Sequence, residues 1–222
     1  MSKHVQRETF IQSEGDSYFK RNQKNLSKDI NEFYLDFFIP KIKKNSKILE
    51  IGCSNGRILN WFQKKLPNYN LELHGIDPSY ESIISGTKQY NNLQLKKGTS
   101  DNLEYQNSYF DIVLCGCFFY LIDRGLVFKT TSEIDRVLKQ KGNLVIVDFD
   151  VPFPKLNNYE HNDKIKTYKN DYSKFFTGGG HYSLIEKKPF TSYKKQIFAE
   201  NINDRFSTSI LYKESLEDIY VP

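Results

Sequence analysis

The stretch KILEIGCSNGRILNWF, Lys47 to Phe62, contains residue types suited to holding a nucleotide-like ligand. An apolar run with one carboxylate, Glu50, is followed by Gly52 and Gly56, and apolar residues then recur at helical spacing. Glycines permit a tight turn and a close approach of backbone to ligand, and the next helix presents free N–H groups at its amino end. The pattern predicts a strand, a turn and a helix that together cradle a ligand.

The spacing within this turn narrows the class of ligand. A dinucleotide fingerprint would need a glycine where Ser54 stands, and a P-loop would need Gly-Lys-Ser/Thr. Because the Ser54 side chain would obstruct a pyrophosphate, the turn suits a nucleoside that carries no phosphate. Asp77 ends the next apolar run, and its carboxylate can accept hydrogen bonds from both hydroxyls of a ribose.

Four segments in order resemble the motifs of class I S-adenosylmethionine-dependent methyltransferases. They are LEIGCSNG, GIDPS, GTSDNLEYQNSYFDIVLC and DRVLKQKGNLVIVDF. The resemblance implies an enzyme that uses S-adenosyl-L-methionine and releases S-adenosyl-L-homocysteine. A shorter resemblance, in EGDSYFKRN, is to methyltransferases of bacterial surface-carbohydrate biosynthesis.

The resemblance also implies roles for single residues. Asp77 would bind the ribose, and Asp101 would contact the adenine amino group because Thr99 stands where the family often has an aspartate. Tyr18 would cover the site and Arg21 would meet the cofactor carboxylate, the alternative being an ordinary surface arm. The predicted cofactor-binding residues are Glu50, Gly52, Cys53, Ser54, Gly56, Asp77, Pro78, Ser79, Thr99, Ser100, Asp101, Cys117, Tyr18 and Arg21.

Catalytic residues are expected beyond the carboxyl ends of the strands, where open α/β sheets bind ligands. Methyl transfer is an in-line displacement that mainly requires alignment and exclusion of water, and an alcohol acceptor would also benefit from a general base. Tyr120 and His181 are the predicted catalytic residues. Histidine is the natural base near neutral pH, although a histidine after three glycines also suits an ordinary loop.

Strand-like and helical patterns alternate along most of the chain. Strands are predicted at 47–51, 71–76, 93–97, 110–115 and 143–149, and helices at 26–39, 56–66, 79–90 and 126–139. This alternation predicts a single-domain α/β fold, a Rossmann-like, doubly wound, mostly parallel seven-stranded sheet. Alternating residues at 182–188, 192–199 and 206–212 predict an antiparallel C-terminal edge.

The chain divides into two predicted regions. Residues 1–45 form an N-terminal arm and helix that covers the site, although the segment 14–22 shows no helical periodicity. Residues 46–222 form the cofactor-binding core. Within it, about 150–182 is predicted to be an acceptor-side loop, in which glycines 178–180 would let a lid bend.

The composition argues against several classes of protein. With 222 residues and 38% hydrophobic content the chain can form a core, and it has neither a long apolar run nor a signal-peptide core. Three cysteines and four histidines lack the spacing of disulfide frameworks or metal ligands. We expect a cytoplasmic monomer or homodimer with no metal and no membrane span.

The acceptor is less well defined than the cofactor. The net charge is +5, but the basic and acidic residues are interspersed rather than grouped in a basic stripe. The segment Cys115-Gly-Cys-Phe-Phe also lacks the prolines typical of enzymes that methylate the amino groups of nucleic-acid bases. The sequence therefore favours a small molecule over nucleic acid. The leading acceptor is a hydroxyl of a sugar, nucleotide-sugar or related metabolite of cell-surface carbohydrate biosynthesis. A macromolecular acceptor, RNA or protein, and a catalytically idle cofactor-binding homologue remain alternatives.

Overall fold

A seven-stranded sheet forms the centre of the computed structural model, which describes residues 4–26, 33–191 and 197–219. The strand order is β3-β2-β1-β4-β5-β9-β8. The five strands β1 to β5 are parallel, whereas β9 pairs antiparallel with both β5 and β8. The strands are β1 Lys47–Ile51, β2 Glu72–Asp77, β3 Leu93–Lys97, β4 Phe110–Gly116, β5 Leu138–Phe149, β8 Tyr182–Thr191 and β9 Arg205–Lys213. The predicted fold class is confirmed.

Helices pack on both faces of this sheet, as the alternating pattern predicts. The helices are α1 Val5–Thr9, α2 Gly15–Leu26, α3 Phe33–Asp36, α4 Arg57–Lys65, α5 Tyr80–Gln89, α6 Val127–Val137, α7 Lys174–Thr177 and α8 Leu216–Ile219. The predictions at 56–66, 79–90 and 126–139 correspond to α4, α5 and α6.

Two hydrophobic cores fill the space between sheet and helices, one on each face. Successive residues of β1 show the division, because Leu49 belongs to one core and Ile48 to the other, and both are fully buried. Such burial on both faces explains why the central strands β1 and β4 are mainly apolar, whereas the edge strand β3 alternates Leu93 and Leu95 with polar residues. The core positions of β1 and β4 therefore hold the strand ends rigidly in register.

The N-terminal arm is helical where the sequence pattern gave no sign of a helix. One π-helical turn, Phe10–Glu14, joins α1 to α2, so the segment 14–22 is helical although it shows no helical periodicity. The reason is that polar side chains make many of the arm's contacts with the core, so no regular apolar stripe is needed. Residues 27–32 of the predicted helix at 26–39 lie outside the described residues, and α3 is its described part.

The predicted acceptor-side loop contains regular structure. A two-stranded antiparallel hairpin, β6 Lys155–Asn158 and β7 Lys166–Lys169, is followed by α7. Most of the predicted strand at 192–199 lies in 192–196, outside the described residues, and 197–199 form no strand. In the described part of the chain, no helix is both long and apolar enough to cross a membrane.

Candidate active site

One cleft opens at the carboxyl ends of the parallel strands, and we call it the main cleft. The ends of β1, β2 and β4, the loop after β3 and the N-terminal helix enclose an empty volume of about 950 Å³, open mouth included. Nine of the fourteen predicted cofactor residues line it: Tyr18, Gly52, Ser54, Asp77, Pro78, Thr99, Ser100, Asp101 and Cys117.

The turn after β1 needs its two glycines for different reasons. Both have a left-handed backbone, with φ of +76° at Gly52 and +78° at Gly56. A Cβ on Gly52 would lie 3.3 Å from the Phe118 Cβ, whereas one on Gly56 would lie 2.8 Å from the Leu93 Cδ1. Gly52 therefore brings the backbone close to the main cleft. Gly56 instead packs against β3 and is outside the lining.

Two predicted cofactor residues lie beneath the turn rather than in the cleft. The Cys53 side chain is buried against β2, where a Cβ on Gly75 would come within 2.6 Å of its Sγ, and burial raises the pKa of the thiol well above its usual range. Glu50 is 1% exposed, and its Oε1 lies beside Gly116. Neither side chain lines the cleft, so the predicted side-chain contacts are not seen.

Asp77 is held at the end of β2 by two backbone donors. The Ser54 N–H donates to its Oδ2 at 2.8 Å, and the Ser79 N–H donates to its Oδ1 at 2.9 Å. Burial raises the pKa of Asp77 to about 6, although both hydrogen bonds favour the charged form. The carboxylate thus lies in the lining of the cleft. Hydroxyl groups of a ligand that donate to it would lower its pKa.

Ser79 is a helix cap rather than a lining residue. Its hydroxyl accepts a hydrogen bond from the Ser82 N–H at 3.0 Å and donates one to Asp16 Oδ1 at 2.7 Å. Since the same Asp16 oxygen also accepts from the Glu81 N–H, the arm is attached to the amino end of α5. The predicted position of Ser79 beside the adenosine is therefore wrong for its side chain.

The loop after β3 supplies a second acidic residue to the main cleft. Asp101 accepts a hydrogen bond at Oδ1 from Arg7 Nε at 3.0 Å, and Arg7 Nη2 is 3.4 Å from the Thr99 hydroxyl. Burial acts to raise the pKa of Asp101, but hydrogen bonds from Thr99 and Arg7 keep it below its ordinary value. The Ser100 hydroxyl pairs with Thr130 at 3.1 Å.

The arm contributes lining residues that the sequence motifs did not reveal, among them Arg7 and Phe10. Its first turn is fixed by Asp123, whose Oδ2 accepts from the Arg7 N–H at 2.8 Å, and by Gln6 Nε2, which donates to the Leu121 carbonyl at 2.7 Å. Arg7 and Phe10 belong to no recognisable sequence pattern, because the position of the arm depends on contacts across more than a hundred residues.

Arg21 does not line the main cleft, in contrast to the prediction that it meets the cofactor carboxylate. Its guanidinium pairs with the buried carboxylate of Glu14 and donates to the Tyr159 hydroxyl at 3.1 Å. The Tyr159 hydroxyl also donates to Glu14 at 3.1 Å. This triad joins the arm to Tyr159, which follows β6.

Two tyrosine hydroxyls lie near the end of β4. Cys117, with φ of +52°, follows the strand and lines the cleft. Burial raises the pKa of Tyr18 above and that of Tyr120 well above the usual range, and each phenol interacts electrostatically with Cys117. Burial also raises the pKa of Asp148 to about 7, against the backbone N–H groups of Phe149 and of the loop that carries Tyr120.

His181 lies at the opposite edge of the sheet, so its prediction as the base is wrong. The following residue, Tyr182, pairs with Lys213, and Tyr212 pairs with Asn143 in the first half of β5. That edge holds the amino ends of the parallel strands, whereas ligands bind at their carboxyl ends. His181 instead lies 3.3 Å from an Asp135 oxygen, and glycines 178–180 precede it there.

No arrangement of His, Cys, Asp and Glu side chains suited to a metal ion occurs within residues 4–26, 33–191 and 197–219. The chemistry of the main cleft, with apolar walls, hydroxyls and three carboxylates, suits an organic ligand.

Known proteins similar to this chain are methyltransferases. A family model described as a methyltransferase domain matches residues 48–142. The ubiquinone/menaquinone biosynthesis C-methyltransferase UbiE of Campylobacter jejuni is 29% identical over 112 residues, 49% of this chain and 46% of that protein. The demethylmenaquinone methyltransferase of Staphylococcus saprophyticus is 30% identical over 116 residues, covering 50% and 48%. The chain thus spans about half the length of these relatives.

Solved structures share the fold at low sequence identity. A SAM-dependent methyltransferase of Methanosarcina mazei superposes with a TM-score of 0.66 at 15% identity, covering 81% of this chain and 97% of that one. The 1,6-didemethyltoxoflavin-N1-methyltransferase of Burkholderia thailandensis, solved with its substrate and S-adenosylhomocysteine, also gives 0.66, at 12% identity and 95% and 88% coverage. Residues 48–142 thus match a methyltransferase domain, and the chain shares its fold with solved SAM-dependent methyltransferases.

Proposed function

We propose that this chain transfers the methyl group of S-adenosyl-L-methionine to a small-molecule acceptor. One observation carries the proposal: the main cleft joins Gly52, Asp77 and Cys117, which follow or end three adjacent parallel strands. Each strand end supplies a different contact, namely an open backbone, a carboxylate and a wall residue. A nucleoside attached to an amino acid fits this set of contacts.

The residues present fit the proposed cofactor without a phosphate site. Asp77 would accept from the ribose hydroxyls, and Asp101 from the adenine amino group, where Phe10 and Leu126 supply apolar surface. The close approach of the backbone at Gly52 leaves room for the amino-acid portion. When bound, the cofactor supplies a methyl group on a positively charged sulfur, which is intrinsically reactive.

The chain's own groups then orient the acceptor and receive its proton. We assign the orienting role to Tyr18 of the arm and to Tyr120 of the loop after β4, because both phenols interact electrostatically with Cys117. Asp148 is 2% exposed with a pKa of about 7, so its carboxylate can hold a proton near neutral pH. The arm covers the cleft and excludes water, which favours methyl transfer over hydrolysis.

The class of acceptor rests on weaker support. The curated relatives are named for quinone biosynthesis, and one structural neighbour holds a small heterocycle, so a small molecule is the acceptor class with support. The hydroxyl of a sugar or nucleotide-sugar stays a prediction of the sequence, as does the assignment to surface-carbohydrate biosynthesis. RNA or protein as acceptor is the alternative to test beside it.

The first experiment measures cofactor binding by calorimetry with S-adenosyl-L-homocysteine. Asp77→Ala should weaken binding by about 1–3 kcal/mol, the scale of hydrogen bonds to a charged group. The control is Asp36→Ala, which removes an exposed carboxylate on α3 and should leave affinity unchanged. Absence of binding to the parent chain would overturn the proposed cofactor.

The second experiment follows a labelled methyl group into a panel of acceptors. The panel contains sugars, nucleotide-sugars, hydroxylated aromatic rings, quinols, RNA and protein. Transfer to a small molecule is the expected result. Transfer to RNA alone, with binding that weakens steeply as salt is raised, would identify a nucleic-acid enzyme instead. Cofactor binding without transfer to any acceptor would favour a catalytically idle homologue.

A further inference from the structure

A second cleft lies on the other side of the segment 119–126 from the main cleft, and we call it the hairpin cleft. Its walls come from the start of α6, the β6–β7 hairpin and Phe175 of α7, whose ring stacks on that of Tyr172. Segment 119–126 contributes Arg124 to the hairpin cleft, whereas Leu121, Asp123 and Leu126 line the main cleft. The two clefts therefore share a wall but have different linings.

The hairpin cleft contains three cationic side chains, Arg124, Lys155 and Lys169, and no carboxylate is part of its lining. None of the three forms an ion pair with a described residue. Lys169 is only 9% exposed, and its Nζ donates to the Asn203 carbonyl at 3.0 Å. The Nζ also lies 4.1 Å from the centroid of the Phe149 ring. Because the lining holds three cations and no carboxylate, the site as built favours an anion.

The lowered pKa of Lys169 is consistent with a lack of negative charge in the cleft. Burial and the neighbouring Lys155 lower the pKa of Lys169, and the attraction of Asp204 does not offset them. Lys155 Nζ donates to Asn203 Oδ1 at 2.7 Å, and Lys169 Nζ donates to the backbone carbonyl of the same residue, so one neutral residue holds both amines. Their remaining N–H groups can donate to a ligand.

The opposite part of the cleft is apolar and open to solvent. Phe128 is 75% exposed and Leu156 is 60% exposed, which is unusual for side chains of this size. Phe175 packs edge-on against Phe128 with ring centroids 5.8 Å apart. The Arg124 guanidinium stacks on the Tyr168 ring at 4.3 Å, so the apolar and cationic parts meet.

From this arrangement we propose that the hairpin cleft binds an amphiphilic organic anion, a carboxylate or phosphate ester attached to an apolar body. The anionic group contacts Lys155 and Lys169, and the apolar body covers Phe128 and Leu156. This site is separate from the main cleft, and its occupancy does not depend on the proposed methyl transfer.

The test uses three probes with the same aromatic body: naphthalene-2-carboxylate, 2-naphthyl phosphate and the neutral naphthalene-2-carboxamide. Binding to the full chain is measured by calorimetry. Both anions should bind saturably and the amide at least tenfold more weakly. Tighter binding of the carboxylate assigns a carboxylic acid as the natural class, and tighter binding of the phosphate assigns a phosphate ester. Failure of both anions to saturate, or equal binding of the amide, would overturn the proposal.

Variants locate the binding within the protein. Lys155→Gln changes a half-buried side chain whose head group bonds, among the described residues, only to Asn203, so the fold should tolerate it. It should weaken both anions at least fivefold and leave the amide unchanged. The matched control, Lys88→Gln, removes an exposed lysine of α5 far from the hairpin cleft and should have no effect. Phe128→Ser should weaken all three probes. Identical results for Lys155→Gln and Lys88→Gln would refute the site.

A competition experiment distinguishes this site from the main cleft. S-adenosyl-L-homocysteine should not compete with the naphthyl anions, and competition would move them to the main cleft and overturn the proposal. If the chain fails to bind S-adenosyl-L-homocysteine, the proposed function fails while the naphthyl titrations still decide the hairpin cleft.

Discussion

Arg7 and Asp101, separated by more than ninety residues in the chain, form a hydrogen-bonded ion pair of 3.0 Å in the lining of the main cleft. Arg7 belongs to the N-terminal arm, and Asp101 belongs to the loop after β3. The pair therefore joins the cover of the site to the carboxylate proposed to contact adenine. We therefore expect the position of the arm to influence cofactor binding through this charge pair.

Replacement of Arg7 tests this link. Arg7→Gln should weaken binding of S-adenosyl-L-homocysteine about tenfold, or about 1.4 kcal/mol, because Asp101 and the arm lose their connection. The loss should be smaller at high salt, which already screens a partly exposed pair. The control is Lys20→Gln, a substitution on the same arm that removes an exposed ion pair with Glu81 of α5. This variant should bind S-adenosyl-L-homocysteine normally. Equal affinities in all three proteins would exclude Arg7 from cofactor binding.

Asp77 predicts a pH dependence of cofactor binding. Its folded-state pKa is raised to about 6, and ribose hydroxyls donate to the charged form, so affinity should be constant above pH 7 and fall as pH drops through 6. Calorimetry across this range measures the effect. Asp77→Asn should bind weakly at every pH and lose the dependence. An unchanged pH profile in this variant would show that another group titrates.

Arg21 is expected to act on stability rather than on cofactor affinity. Arg21→Ala leaves the Glu14 carboxylate, 3% exposed, without its cation and should destabilise the fold by about 2–3 kcal/mol in urea unfolding. Arg21→Lys should recover part of this loss. The folded variant should bind S-adenosyl-L-homocysteine within about threefold of the parent, since an interaction absent from the site contributes little to affinity. A large loss of affinity at unchanged stability would restore Arg21 as a cofactor residue.

Tyr120 is expected to affect turnover without affecting cofactor affinity. Tyr120→Phe removes only the hydroxyl and should lower kcat at least tenfold, the scale of positioned acid–base and orienting groups. Its ring still packs edge-on against Phe149, so the fold is retained. Binding of S-adenosyl-L-homocysteine provides the internal control. Normal turnover would remove the hydroxyl from the mechanism.

His181 provides the contrasting case. His181→Ala should leave turnover unchanged, because the side chain lies at the amino-end edge of the sheet beside Asp135. The loss of one partly exposed ion pair should cost less than about 1 kcal/mol of stability. A marked fall in turnover in a folded variant would contradict the position described for His181.

The sequence by itself was enough to predict the sheet and many residues that line the main cleft. The central strands contain local apolar runs, β3 alternates apolar and polar residues, and the glycine turn and Asp77 are local motifs at strand ends. Such features need only neighbouring residues to be recognised. The carboxylate at the end of β2 therefore appears in the lining as expected.

Only the tertiary structure decided the contacts of the arm, the position of His181 and the existence of the hairpin cleft. Arg7, Glu14 and Arg21 obtain their partners from distant parts of the chain, and no periodicity records those contacts. His181 was placed by its chemical type, but strand pairing puts it at the far edge. The physical reason is that apolar burial leaves a local pattern in sequence, whereas polar partners are chosen only when distant segments meet.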